Sequence, residues 1–311
     1  MNKSGPAPLV ILAVLLASLP ALGQQDQSVA VDPSVPEFLR ELTPNANGDL
    51  PQEQMRELIR IVADNYRANH KKERDYTYLD RVVENKLDGK GESKSTESKT
   101  YEIVDLYGEQ VQRLVAKNGA PLSAEESAKE ENRIEKLTNK RRNESDHERA
   151  KRREEEEKRR EKNREFVREV ADAYDFHLVG SEVLNGRDAW VISGEPRRGF
   201  EPHVKEAQML SKFHGRLWID KGELQLAKMD VEALDTVSFG WVLARIHKGT
   251  RLVFEQTRVN GEVWLPQHLS FKFDARVALF KGYNEQDEET YSDYRKFRAT
   301  ARIVGIGDAE K

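Results

Sequence analysis

Cysteine is absent from the 311 residues. That removes disulfide staples, thiolate metal sites and any acylated cysteine, so the chain is expected not to be lipidated itself. Nor is one sign of charge in excess, since 51 Lys and Arg stand against 55 Asp and Glu for a formal net charge of -4. A nucleic-acid binder usually carries an uncompensated basic face, so no nucleic-acid partner is expected. Signatures with readable chemistry are missing too: HExxH, GxSxG, GxGxxG and the phosphate-loop pattern GxxxxGK(S/T) do not occur. The seven histidines lie far apart, and His203 and His214 read as surface or strand residues rather than ligands. TPNANGDLPQEQ, from Thr43, echoes a calcium loop through Asn45, Asn47, Gly48 and Asp49, but it has no leading Asp and carries Gln54 where a bidentate Glu belongs. No catalytic residue, metal or cofactor is therefore nominated, and the chain reads as non-enzymatic.

No apolar run reaches the roughly 20 residues that span a bilayer. The run LVILAVLLASLPALG, preceded by Lys3, ends in Ala21-Leu22-Gly23, the small residues a signal peptidase requires. Residues 1–23 are read as a secretory signal peptide cut after Gly23, which makes the mature protein a soluble periplasmic or extracellular one. A polar, proline-bearing linker follows over 24–47.

What is present begins with an amphipathic helix. Asp49 is placed to cap it, Pro51 falls in its first turn, and Met55, Leu58, Ile59, Val62 and Tyr66 recur at helical spacing. The period then becomes two, in YTYLDRVVENKL and SKTYEIVDLYGEQVQRLVAKNG. Asn118-Gly119, Asn185-Gly186 and Asn260-Gly261 tolerate the positive φ of tight hairpins, and DGKG (Asp88 to Gly91) and Lys221-Gly222 mark further turns. Leu269, Phe271, Phe273 and Ala275 alternate with Ser270, Lys272 and Asp274, which gives one apolar and one wet sheet face. The spacing predicts an antiparallel meander in two parts, residues 48–122 with the helix and 173–311 as the main β region.

Between them, residues 123–172 are dense in charge. Ser123 and Glu126 form a capping-box pattern, neither Pro nor Gly follows before Asp172, and Ser145 with Glu148 offers a second cap. Both one long helix and a helical hairpin fit. Glu148 with Arg152, Glu154 with Lys158, Glu155 with Arg159 and Glu156 with Arg160 place acid before base at i,i+4, each pair worth about 0.2–0.5 kcal/mol. Charges neutralised along the helix leave little for phosphate, and Ile134, Leu137 and Ala150 are too sparse for a sustained coiled-coil seam. The segment is read as an insertion that docks through Phe166, Val167, Val170, Ala171 and Tyr174 and otherwise contacts another protein.

Aromatic residues concentrate in the strand-rich C-terminal half: Trp190, Trp218, Phe254, Trp264, Phe271, Phe273 and Phe280. They fill an ordinary core or, in a strongly curved sheet, line a cavity for an acyl chain. The runs GRLWIDKGELQLAKMDVEA, IHKGTRLVFEQTRVNGEVWLP and FKFDARVALFKGYNEQDEETYSDYRKF, with Ile219-Asp220, Gly249 and Trp264-Leu265-Pro266, resemble the outer-membrane lipoprotein-sorting (LolA/LolB-like) proteins of the bacterial envelope. The resemblance covers residues 174–300. It implies an α+β fold, a half-open antiparallel barrel lidded by helices, whose concave face holds lipid or lipoprotein acyl chains. Trp190, Trp218, Phe254, Trp264, Phe271 and Phe273 would line it. The charged insertion has no counterpart in the small carriers, and their functional arginine maps to no particular arginine here. Two functions are carried forward: an exported lipid- or lipoprotein-binding envelope protein with a carrier role, and a scaffold whose helical insertion binds an envelope protein.

Overall fold

A computed structural model describes residues 50–88, 90–107, 109–239, 244–277 and 281–297. The expected signal peptide and linker, the calcium-like loop up to Asp49, and Phe280 lie outside these residues. Helix α1 (Gln52–Glu73) is followed by β1 (Tyr76–Leu87), β2 (Ser93–Leu106), β3 (Glu109–Lys117) and β4 (Ala120–Pro121), then by helices α2 (Ala124–Arg142) and α3 (Asp146–Ala173). The C-terminal half contains β5 (Tyr174–Leu184), β6 (Arg187–Pro196), a 3-10 helix (Lys205–Lys212), β7 (Phe213–Asp220), β8 (Leu226–Ala233), β9 (Val237–Phe239) and β10 (Ala244–Ile246). It ends with β11 (Arg251–Val259), β12 (Val263–Val277) and β13 (Lys281–Lys296).

The strands form one 13-stranded sheet in the order β4-β3-β2-β1-β13-β12-β11-β8-β7-β6-β5, with the β9–β10 hairpin attached to β12. Neighbours pair antiparallel throughout, and β1 pairs β13, so the first and last strands knit the two sequence halves together. Among the described residues the edge strands β4 and β5 do not pair. The result is the expected α+β half-open barrel, curved and unclosed.

Turn chemistry explains the hairpins. Asn118 and Gly119, Asn185 and Gly186, and Asn260 and Gly261 all adopt positive φ, the conformation that matches a two-residue turn to the twist of its strands. The β7–β8 connection departs from expectation: the positive φ falls on Leu224 rather than Gly222, because Asp220 organises the turn by accepting the backbone N-H of Glu223 at 2.7 Å.

Helix α1 buries Met55, Leu58, Ile59 and Val62 against the sheet, where they join Tyr76, Tyr78, Phe176, Trp190, Ile192, Phe254 and Leu265 in the main core. Each such side chain contributes about 1.5–3 kcal/mol on burial, and Leu58→Ala would cost about 2–5 kcal/mol through the cavity it leaves. The cap differs from the sequence reading. Pro51 itself occupies the N-cap position and supplies no side-chain bond.

The charged segment is two helices, not one. Both capping boxes form, Ser123 with Glu126 and Ser145 with Glu148, and Asn143 ends α2. With Glu148 held by the Ser145 N-H and hydroxyl, Arg152 turns instead to Glu144 at 2.9 Å. Glu154 and Lys158 pair at 2.5 Å as the spacing predicts; the side chains of Arg159, Glu156 and Arg160 lie outside the described residues. Helix α2 buries no residue, whereas α3 docks through Phe166, Ala171 and Ala173. Because α2 leaves from β4 and α3 leads into β5, the pair connects the two edges of the open sheet.

Side chains from the helices also satisfy backbone that the open sheet leaves unpaired. The Gln52 amide donates to the Phe176 carbonyl at 2.7 Å and accepts its N-H at 2.9 Å. Asn69 treats Trp264 the same way, at 2.5 and 2.7 Å. On β3, Glu130 accepts the Leu114 N-H at 2.8 Å while Arg133 donates to the Gln112 carbonyl. Such caps blunt a sheet edge against pairing with another chain.

Candidate functional site

Cross-strand partners in an antiparallel sheet share a face, so register defines the surface opposite the turns. Leu269 pairs Glu289 and Phe271 pairs Asp287; Glu289 in turn pairs Val82, and Asp287 pairs Glu84. Asp80 pairs both Tyr291 and Tyr101, and Tyr101 pairs Leu114. One face therefore runs from phenylalanines on β12, across a row of carboxylates on β13 and β1, to an apolar patch on β2 and β3.

The aromatic end is half-covered. Phe271 and Phe273 stack with ring centroids 5.4 Å apart and 28° between planes, against Phe213, Val237 and Ile246. Both are only partly buried, unlike Phe254 and Leu252 beside them on β11.

The acidic middle is electrostatically strained. Asp80 is 4% exposed; burial pushes its carboxyl up to about 8, Glu289 adds to the rise, and the Gln112 amide offsets part of it. Asp287 is pushed up to about 7 by burial and by Glu285, Glu84 and Glu289, against a lowering contribution from Lys99. Glu289 is raised by burial, partly offset by the Tyr291 hydroxyl that donates to it at 2.5 Å. The Lys99 ammonium is engaged elsewhere, by Glu84 at 3.1 Å and Glu97 at 3.6 Å.

At the far end of the face, an open cavity of about 570 Å³ lies between β2–β3 and α2. Leu106, Val111, Leu114 and Leu137 give it apolar walls, and Tyr101, Gln112, Arg133 and Arg141 give it polar ones. Gln112 joins it to the acidic row by donating to Asp80 at 3.4 Å.

The aromatic residues singled out from sequence divide. Trp190 and Phe254 belong to the main core and Phe271 packs at its border, with Phe273 beside it. Trp218 stands on the opposite face from Trp190, since it pairs Val191 while Trp190 pairs Ile219. There it packs with Ala189 and Val191, its indole N-H donates to Glu182 at 2.8 Å, and Lys228 lies over the ring at 5.1 Å. Trp264 sits under the Arg187 guanidinium at 5.1 Å and donates to Glu223 at 2.9 Å. The register thus puts Trp190, Phe254, Phe271 and Phe273 on one sheet face, the first two buried and the two β12 phenylalanines half-covered, while Trp218 and Trp264 make their contacts elsewhere. Asp80, Asp287 and Glu289 were not singled out by sequence reasoning. The available signal was Asp80 at an inward position of the alternation begun by Tyr76 and Tyr78. Among the described residues no group of three or more His, Asp or Glu is arranged to hold a metal ion.

No protein-family model matches the chain, and no curated protein matches it. Solved structures do. A domain of an outer membrane lipoprotein-sorting protein from Vibrio parahaemolyticus is 14% identical with a TM-score of 0.33, the match covering 81% of this chain and 96% of that one. The complex of MucA and MucB from Pseudomonas aeruginosa is matched at 10% identity and a TM-score of 0.22, over 79% of this chain and 100% of that one. A LolA superfamily protein from Nitrosomonas europaea is 10% identical with a TM-score of 0.26, over 77% and 94%. Lipoprotein-sorting and LolA-superfamily structures are thus structural neighbours of this half-open sheet.

Proposed function

We propose that the chain is an exported, non-enzymatic envelope protein that binds an amphiphile on the concave face of its open sheet, with a carrier role. The observation that carries this reading is the half-covered Phe271–Phe273 stack, which continues the core's own face into solvent. Apolar surface left on a concave face is where an alkyl or acyl chain gains most from leaving water, at about 25 cal/mol per Å². Beyond the carboxylates, the cavity beside α2 offers a second apolar patch through its leucine and valine walls.

Native mass spectrometry on the chain from Gln24 onward, purified without detergent, tests the reading. A bound amphiphile that is lost in a Phe271→Ser, Phe273→Ser variant is the expected result. A clean apo mass, together with no uptake of anionic, neutral or cationic fluorescent amphiphiles, would overturn it.

A second reading is favoured by α2, which contributes no buried residue: a scaffold whose helical pair contacts an envelope protein. Deletion of residues 124–165 discriminates, because the scaffold reading requires that partners co-purifying with the full chain be lost. Unchanged partners would sink it.

A further inference from the structure

Helix α2 crosses the end of the sheet without burying a residue, and a cavity of about 570 Å³ is left beneath it. That volume lies within the range of small-molecule sites. We infer that this cavity binds an anionic amphiphile, its head on the Arg141 guanidinium and its alkyl chain along Leu137, Val111 and Leu114. The site uses neither Phe271 nor Phe273, and so stands apart from the half-covered stack on β12.

The spacing of α2 lays out one wall. Arg133, Leu137 and Arg141 follow at i, i+4 and i+8, a single stripe of a helix, and all three line the cavity. Hydrogen bonds fix the direction in which the stripe runs. Glu130 accepts the Leu114 N-H at 2.8 Å, and Arg142 donates to the Tyr107 hydroxyl at 3.3 Å. Helix α2 therefore runs against β3, and Arg141 comes level with the β2–β3 turn. Leu106 lines the cavity at that end, whereas Leu114 and its cross-strand partner Tyr101 line the other. From Glu130 to Arg141 the helix rises about 16 Å, the reach of an extended dodecyl chain.

Charge selects the head. Among the described residues the charged walls of the cavity are Glu130, Arg133 and Arg141. Glu130 and Arg133 neutralise each other through contacts at 2.6 and 2.8 Å, and both also bond the β3 backbone. The other end is cationic. The last turn of α2 carries Lys140, Arg141 and Arg142, and Arg152 of α3 holds Glu144 at 2.9 and 3.0 Å while Arg141 meets the same carboxylate at 3.5 Å. Arg152, Arg141 and Arg149 together keep the Glu144 carboxyl below its usual range. A guanidinium presents five donors in a planar fork that suits the paired oxygens of a carboxylate or phosphate. The same group repels an ammonium head.

The test is calorimetric titration of the chain from Gln24 onward with submicellar dodecanoate, dodecyl phosphate, dodecylammonium and uncharged dodecyl maltoside. The expected result is that dodecanoate or dodecyl phosphate binds at least about tenfold more tightly than dodecylammonium. A preference between the two anions separates a fatty acid from a lipid phosphate as the source of the ligand, and either supports the site. Arg141→Gln should remove the preference for an anion, and Arg141→Lys should restore only part of it, because an ammonium keeps the charge but loses the fork. Leu137→Gln should weaken both anions, whereas Phe271→Ser, Phe273→Ser should leave their binding unchanged. Arg141 and Leu137 sit on a helix that buries no residue, and thermal denaturation checks that the variants stay folded. Anion binding that survives Arg141→Gln and Leu137→Gln but is lost with the phenylalanines would overturn the inference and leave the concave-face reading standing. Dodecylammonium binding as tightly as the anions would overturn it as well. Binding of none of the four would overturn both.

Discussion

The Glu130 carboxylate accepts the backbone N-H of Leu114 at 2.8 Å, so an ion-paired side chain on α2 occupies a position where a further strand would bond β3. Arg133, held to Glu130 at 2.6 and 2.8 Å, completes the mimicry by donating to the Gln112 carbonyl. A hydrogen bond to a charged group contributes about 1.5–3 kcal/mol. Glu130→Ala should therefore lower stability by about that amount and, by freeing the β3 edge, promote association. Urea denaturation reads the first effect and light scattering the second. A variant equal to the parent in both would show that α2 is not an edge cap.

Asn69 makes the same kind of contact more deeply. It is 4% exposed, meets both backbone groups of Trp264, and donates to Glu73 at 2.8 Å. Asn69→Leu removes all three partners at once and leaves the Trp264 N-H and carbonyl buried and unmade, each costing about 1–3 kcal/mol. The expected outcome is a marked fall in the denaturation midpoint at unchanged m value. A loss under about 0.5 kcal/mol, the size of an ordinary surface substitution, would mean that other groups take the place of the amide.

Arg187 grips Asp220 with a two-pronged contact at 2.7 and 2.8 Å, reaches Glu223 at 3.2 Å, and covers Trp264. Asp220 is 2% exposed and also organises the β7–β8 turn. Arg187→Ala would leave that carboxylate buried without its cation, at about 3–5 kcal/mol. Arg187→Lys should recover only part, because an ammonium keeps the charge but cannot reproduce the planar fork. Full recovery by lysine in urea denaturation would contradict the geometric argument.

How much of this was legible follows from the range of each signal. Helix α1 announces itself through Met55, Leu58, Ile59 and Val62 because helical periodicity is local, and the Asn-Gly turns do so because positive φ selects its residues. The break at Asn143–Ser145 was half legible: the Ser145 capping box was visible, but with no Gly or Pro there, nothing local required it to form. The acidic row was not legible. It exists only through the pairing of β1 with β13, strands separated by most of the chain, and in a chain with 55 acidic residues one inward Asp80 does not stand out. The same reasoning applies to the tryptophans. Composition gathers Trp190 and Trp218 into one aromatic cluster, whereas register sends them to opposite faces.

Asp80 offers the sharpest test of the buried row. Its carboxyl moves from the usual 3.8 up to about 8 because burial and Glu289 disfavour the charged form. In the unfolded chain it releases its proton near pH 3.9, so between those limits the native state holds a proton that unfolding gives up. The stability of neutral Asp80 is complete below the unfolded value and is lost as pH rises through about 8. Glu73 and Asp287, each pushed up to about 7, act in the same direction. The chain should therefore lose stability from about pH 4 to about pH 8, and Asp80→Asn should flatten the alkaline part of that decline. At about pH 9 the variant should be more stable than the parent, since it no longer ionises a buried group. Urea denaturation at a series of pH values measures both slopes. Identical slopes for parent and variant would mean that Asp80 ionises as freely in the folded protein as in the unfolded chain, and that the concave face is far wetter than its packing indicates.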